Sequence, residues 1–255
     1  MSIKKPIIQV KNVTVAYDSR VILDNVSCDI IEGEIFAIVG GSGCGKSTLL
    51  RQIIGLEVPT MGDVIIDGDN LSKAAGEEKR RILRKFGVLF QSSGLFASMT
   101  LAENIALPLQ TYTDLSNDSI NELISIKLRS VDLDGYNSFL PAEISGGMKK
   151  RAGIARAMAL DPLILCLDEP SSGLDPITAV EFDNLIMRIN KSLGITVIVV
   201  SHDLASVNLI SDHIIMLDKD AKGIIAEGTP KELLSFEDNE YVFNFFNRKP
   251  RSNKI

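Results

Sequence analysis

The run Gly40-Gly41-Ser42-Gly43-Cys44-Gly45-Lys46-Ser47 constrains this chain more than any other segment. It matches G-x-x-x-x-G-K-[ST], follows the apolar run IFAIV (35 to 39) and opens the helical pattern STLLRQIIGL, so a strand must pass through a glycine-rich loop into a helix. Glycines let the backbone curl until successive amides converge, and the helix behind them adds its positive end. Such a nest suits phosphate. The segment Gly40 to Thr48 is therefore expected to bind a nucleotide, with Lys46 neutralising the β- and γ-phosphates and Ser47 and its hydroxyl on Mg2+. The same amides predict a lowered thiol pKa for Cys44, with raised reactivity if solvent reaches the empty loop and shielding by bound ATP.

Further apolar, β-branched runs are GVLF (87 to 90), LILCL (163 to 167), ITVIVV (195 to 200) and HIIML (213 to 217). Amphipathic or charged helical stretches separate them, which predicts a parallel sheet covered on both faces. Residues 7 to 31 instead alternate with period two around a YDSR turn, and DVIIDGDN (63 to 70) reads as a hairpin. From Gln91 to Ile144 the β-runs vanish. The expected fold is thus α/β of the P-loop NTPase class: a mostly parallel sheet, a small N-terminal antiparallel β-layer and a helical subdomain inserted at about residues 91 to 160. The main domain is placed at 7 to 235. A tail from about Lys231 carries one or two short helices, and residues 236 to 255 form an extension ending in polar RKPRSNKI, which is expected to fray.

LILCLDEP ends a buried strand in two carboxylates, at the sheet edge where nucleotides bind. Asp168 is expected to hold the metal and Glu169 to act as general base on the attacking water. An Asp-Glu pair alone also serves as a helix cap, but beside a phosphate loop it suits catalysis better. His202 follows another buried strand and is placed to donate to the γ-phosphate. Gln91 follows GVLF and its carbonyl oxygen is a candidate metal ligand. His213 opens an apolar run and is read as structural.

Ile144-Ser145-Gly146-Gly147-Met148 stands shortly before the Asp-Glu pair and resembles the LSGGQ signature of ATP-binding-cassette transporter subunits. Gln91 resembles that family's Q-loop, Ser172-Gly173-Leu174-Asp175 its D-loop, His202 its switch histidine, and Tyr17 the aromatic that stacks on adenine; as an aromatic on an N-terminal strand, Tyr17 equally suits packing. The resemblance covers residues 7 to about 235. It implies ATP and Mg2+ as cofactors and a homodimer in which Ser145, Gly146, Gly147, Met148 and Asp175 meet ATP held by the opposite subunit. Ile144 and Met148 depart from the signature, which leaves open the contact made by the missing glutamine amide.

The stretch FQSSGLFASMTLAENIALPL and the run ISGGMKKRAGIARAMALDP resemble the ATPases of bacterial Mla-type lipid transport. That likeness implies an integral-membrane permease in the inner membrane, a periplasmic Mce-type lipid-binding protein, and a small regulatory protein on the cytosolic side. The permease is expected to dock near residues 92 to 100, on Leu95, Phe96 and Met99, the alternative being that these apolar residues fold back as core under the neighbouring helix; it would hold the chain peripherally at the cytoplasmic face. A net charge of −6 disfavours nucleic acid and anionic lipid as direct partners. The opening MSIKKPIIQVKN lacks a secretory apolar core, and no run approaches the roughly 18 to 20 apolar residues that cross a bilayer. Cys28, Cys44 and Cys166 make no paired framework, which fits a reducing cytosol. Two other ATPase classes carry similar motifs. A soluble assembly ATPase keeps the same ATP motifs but lacks a reason for the apolar, proline-containing segment after Gln91. A chromosome-organising ATPase needs a long coiled coil between the phosphate loop and the acid pair, and no sustained heptads are present.

Overall fold

A computed structural model describes residues 5 to 249; the last residues of the polar tail, 250 to 255, lie outside them. Two sheets form the frame. The smaller has the order β2-β1-β4-β5, built from Pro6–Tyr17 (β1), Arg20–Ile31 (β2), Met61–Ile66 (β4) and Asp69–Asn70 (β5), with antiparallel pairs throughout. The larger has the order β10-β9-β3-β8-β7-β6. Its strands are Ile35–Gly40 (β3), Phe86–Leu89 (β6), Ile164–Asp168 (β7), Thr196–Val200 (β8), His213–Asp218 (β9) and Gly223–Gly228 (β10). All neighbours in it are parallel except β9 and β10.

The apolar runs become central strands because both sheet faces are covered. Along β8, Val197 and Val199 join one core with helices on that side, whereas Ile198 and Val200 join another beneath the antiparallel sheet. Each such side chain taken fully out of water contributes roughly 1.5 to 3 kcal/mol, so a register slip would exchange two cores at once. The helix Lys46–Ile53 (α1) buries Leu49, Leu50 and Ile53 on the antiparallel side. Gly76–Leu83 (α2) precedes β6.

Between β6 and β7 the chain makes only helices: Leu101–Tyr112 (α3), Asn117–Ser130 (α4), a 3-10 turn at Pro141–Glu143, and Gly146–Ala157 (α5). Thr100 opens α3 with a reciprocal capping box through Glu103, satisfying amides that the helix itself leaves free. Pro176–Leu193 (α6) and Leu204–Ile210 (α7) follow β7 and β8. The C-terminal helices Pro230–Leu234 (α8) and Glu240–Phe246 (α9) place Leu233, Val242 and Phe246 in a third core with Ala37, Val39, Ile214 and Met216.

Candidate active site

Strand register assembles the site. In the order β3-β8-β7-β6, Ile38 pairs with Val200, Val200 with Asp168, and Leu167 with Leu89. The residues just beyond these pairs, Gly40, His202, Glu169 and Gln91, therefore leave one carboxyl edge together. Parallel strands align their ends in this way, and side chains far apart in sequence become neighbours.

Glycine is required at the loop's entry by its own neighbours. Gly40 has φ +142°, and a Cβ there would run into the Leu217 carbonyl and stand 2.7 Å from Cys44 Sγ. Gly45 has φ +104°, and its Cβ would come 2.7 Å from Leu23 Cδ2. The curl leaves the amides of Ser42, Gly43, Gly45, Lys46, Ser47 and Thr48 with no backbone acceptor among the described residues, at the N-terminus of α1. Lys46 Nζ donates to the carbonyls of Gly40 (2.9 Å) and Gly41 (3.1 Å). A cation and a ring of free donors thus face the same space, an arrangement suited to phosphate oxygens. A cavity of about 500 Å³ beside the loop is lined by Gly41, Ser42, Asp218, Tyr241 and Lys249 among others.

Cys44 departs from expectation. It is only 2% exposed, and burial pushes its thiol pKa up, outweighing Lys46 and the loop amides that pull it down. Packed in the core beneath the antiparallel sheet, it is sealed from solvent rather than activated.

Asp168 and Glu169 sit where β7 ends. Burial, and then the neighbouring Glu169, raise the Asp168 carboxyl above its ordinary pKa against the pull of Arg51 and Lys46. Asp168 Oδ1 is buried with no hydrogen-bond partner among the described residues. An orphaned buried oxygen of this kind is costly unless a cation or water satisfies it, so it fits a hard divalent ion such as Mg2+. His202 Nδ1 lies 2.6 Å from Glu169 Oε2, and its side chain is 70% exposed. Gln91 is exposed at the same edge.

Tyr17 ends β1 in the other sheet. Its hydroxyl donates to Glu57, which also takes a hydrogen bond from Gln52 Nε2 at 3.1 Å. The Glu57 carboxylate raises the phenol pKa, and Thr48 of α1 is close enough to lower it slightly. Tyr17 is thereby tied to the phosphate-loop helix with its ring half open to solvent.

The signature residues do not join this edge. Ser145 caps α5, accepting from Met148 N at 3.3 Å, and among the described residues no hydrogen bond links it to the phosphate loop. Ile144 is buried, and Met148 packs partly against the helical core, so both departures from LSGGQ are apolar residues serving that core. Asp175 caps α6 through Ile177 N and Thr178 N, both at 3.1 Å. A Cβ on Gly147 would stand 2.8 Å from Thr178 Cγ2, so α5 and the start of α6 are in close contact.

Of the three residues expected to dock a partner, only Phe96 is exposed, with its ring 4.9 Å from the Arg156 guanidinium. Leu95 packs against the helical core and Met99 is half-buried. The cause is Asn104, fully buried, which accepts from Phe96 N and donates to the carbonyls of Phe96, Met99 and Thr100. His213 is structural as read, 3.0 Å from Glu227 and stacked on Phe36. Lys150 escaped the sequence reading. Its signal was a lysine in phase with Gly147 and Ile154 on the buried face of α5.

Comparison with known proteins bears on the whole of this arrangement. The family described as ABC transporter matches residues 23–172. The intermembrane phospholipid transport system ATP-binding protein MlaF of Haemophilus influenzae is 40% identical, over 92% of this chain and 89% of its own length. The probable ribonucleotide transport ATP-binding protein mkl of Mycobacterium leprae is also 40% identical, over 94% of this chain and 68% of its own. Among solved structures, the ATP-binding cassette MJ0796, a dimer bound to ADP and Pi, superposes with a TM-score of 0.78 at 33% identity, covering 87% of this chain and 98% of that one. A motif match can arise by chance, but agreement in sequence and in fold along nearly the whole length cannot, and the chain belongs to the ABC transporter family.

Proposed function

We propose that this ATPase drives an integral-membrane permease that moves phospholipid between two membranes. The observation that supports this cargo is the 40% identity to MlaF, sustained over 92% of the chain. Among the described residues no helix is long and apolar enough to cross a membrane. The proposal includes a periplasmic Mce-type lipid-binding protein and a small cytosolic regulator in the same complex, with the chain held at the cytoplasmic face by the permease.

In the chemistry proposed, the loop amides and Lys46 hold the phosphates of ATP, and Tyr17 stacks on adenine. Asp168, Ser47 and Gln91 would hold Mg2+, which when bound would offset charge on the phosphate oxygens. Glu169 accepts the proton of the attacking water, and His202 donates toward the phosphate being cleaved. Ser145, Gly146 and Asp175 act on nucleotide held by a second copy of the chain, so that a dimer contains two equivalent sites. The exposure of Ser145 and Gly146, away from their own phosphate loop, supports this division.

The permease dock proposed for residues 92 to 100 narrows to Phe96 and the groove beside it. That groove, about 450 Å³, is lined by Arg84, Phe90, Pro108, Tyr112 and Arg156 among others. Phe96→Glu is expected to leave the subunit folded and ATP-binding while abolishing co-purification with the permease from detergent; loss of cooperative folding would place Phe96 in the core instead. The cargo is tested by purifying the whole complex and identifying by mass spectrometry what it carries. Phospholipid transferred to acceptor vesicles on ATP addition supports the reading. Export of ribonucleotide instead would favour the function for which the mycobacterial relative is named.

A further inference from the structure

Lys150 is a charged residue only 7% exposed, on the helix that begins with the signature turn. Among the described residues its ammonium meets no carboxylate at contact distance. It donates instead to two main-chain carbonyls, Pro170 O at 2.6 Å and Glu169 O at 3.2 Å. These belong to the residue assigned as general base and the one after it. The placement is costly, since burial lowers the Lys150 pKa and only partial compensation comes from the Glu169 charge. A buried lysine is retained at such a cost when carbonyls or charges need it.

Those carbonyls need it because of the backbone between them. Glu169 has φ +51°, the left-handed region in which a residue with a Cβ costs roughly 1 to 2 kcal/mol. The turn is held on its amide side by Glu169 N donating to Val200 O at 2.8 Å, an extension of the β7-β8 ladder. On its carbonyl side it is held by Ser172 N (3.2 Å) and by Lys150. The general base thus leaves the sheet on a strained turn, pinned from one side by the sheet and from the other by the signature helix.

We infer that Lys150 is a positioning residue for hydrolysis, which holds the main chain of Glu169 from the signature helix and so fixes where its carboxylate stands. Ser145 at the helix start and Lys150 lie on one rigid segment, separated by roughly 1.5 Å of rise per residue. A shift of that helix on meeting the partner's nucleotide moves the carbonyl clamp of its own chain's base. The inference rests on Glu169 being the base.

The test is a double-mutant cycle on the full chain, with ATP affinity, thermal unfolding and single-turnover hydrolysis read for each variant. Lys150→Met, which keeps the volume and removes the donors, is expected to lower kcat about 10- to 100-fold, the cost of misplacing a reacting group by about 1 Å. Its Kd for ATP should stay within twofold. In a Glu169→Gln background the same substitution should cause no further loss, because a group acting through the base has nothing left to act on. Lys150→Gln, whose amide still reaches one carbonyl, should fall between Met and wild type. It also decides the matter if Lys150→Met does not fold: kcat lowered at least threefold with Kd unchanged supports the role, and wild-type kcat overturns it. Lys150→Met at wild-type kcat, or a loss that multiplies with that of Glu169→Gln, would show that Lys150 only stabilises the fold. Rapid hydrolysis by Glu169→Gln alone would overturn the assignment of the base itself and is distinguishable from both.

Discussion

The phosphate loop and the signature turn both open a helix with glycine, and the fold treats them differently. At Gly40 an added Cβ would strike the Leu217 carbonyl and crowd Cys44, and at Gly45 it would strike Leu23. At Gly146 a Cβ would meet nothing within 4 Å, and Ser145 beside it is exposed. The first pair of glycines is demanded by the chain's own packing. No neighbour among the described residues demands the third, which fits the role proposed for the signature turn at a second copy's nucleotide. On that proposal one region is a finished half of a site and the other a donor half, and the reaction would belong to a pair of chains.

The strongest test of this comparison is on the finished half. Glu169→Gln is expected to keep ATP binding and to lower hydrolysis by about two to four orders of magnitude, the range for losing a general base. Sedimentation of that variant should then show a dimer with ATP and a weaker one with ADP; equal dimer content under both would sever the link between the two halves. Lys46→Ala should act earlier, weakening ATP binding itself. Loss of a charged donor to phosphate typically costs about 1.5 to 3 kcal/mol, which calorimetry would read as a Kd raised by one to two decades. Gly146→Ala sharpens the contrast most, because stability and activity should move apart. The added methyl favours helix by up to about 1 kcal/mol, so the melting temperature should hold or rise while ATP-dependent dimerisation weakens. Destabilisation in that variant would mean that Gly146 is needed within the chain after all. The smallest effect is expected at Cys44, buried and with its thiol pKa raised. A maleimide should label it slowly in native protein whether or not ATP is bound, and mass spectrometry showing rapid labelling that ATP blocks would overturn that view.

The strands of the parallel sheet were legible because burial on both faces leaves unbroken apolar runs such as Val197 to Val200. β10 was not, since GIIAEG is short and is bounded by glycines; it is a strand only because β9 offers an edge to pair with. At the site, the order of residues along strand ends revealed Lys46, Asp168, Glu169 and His202 as a group. Relations made only by packing stayed hidden. Cys44 was misread because nearby amides are visible in sequence, whereas its burial depends on tertiary packing. Glu57, which orients Tyr17, and Lys150, which reaches the turn after Glu169, act across separations of 40 and 19 or 20 residues. No local pattern encodes those distances.

The exposed Ser145 and Gly146 also bear on when ATP is spent. If each site is completed by a second copy, hydrolysis by free subunits is second order, rising with the square of their concentration while monomers dominate. A permease with two equivalent docks would hold two copies at an effective concentration in the millimolar range, converting the encounter into a first-order closure. Scarce free subunits would then idle, and hydrolysis would concentrate where two copies share one permease. The open end of one helix would in this way confine fuel consumption to the membrane without any inhibitor.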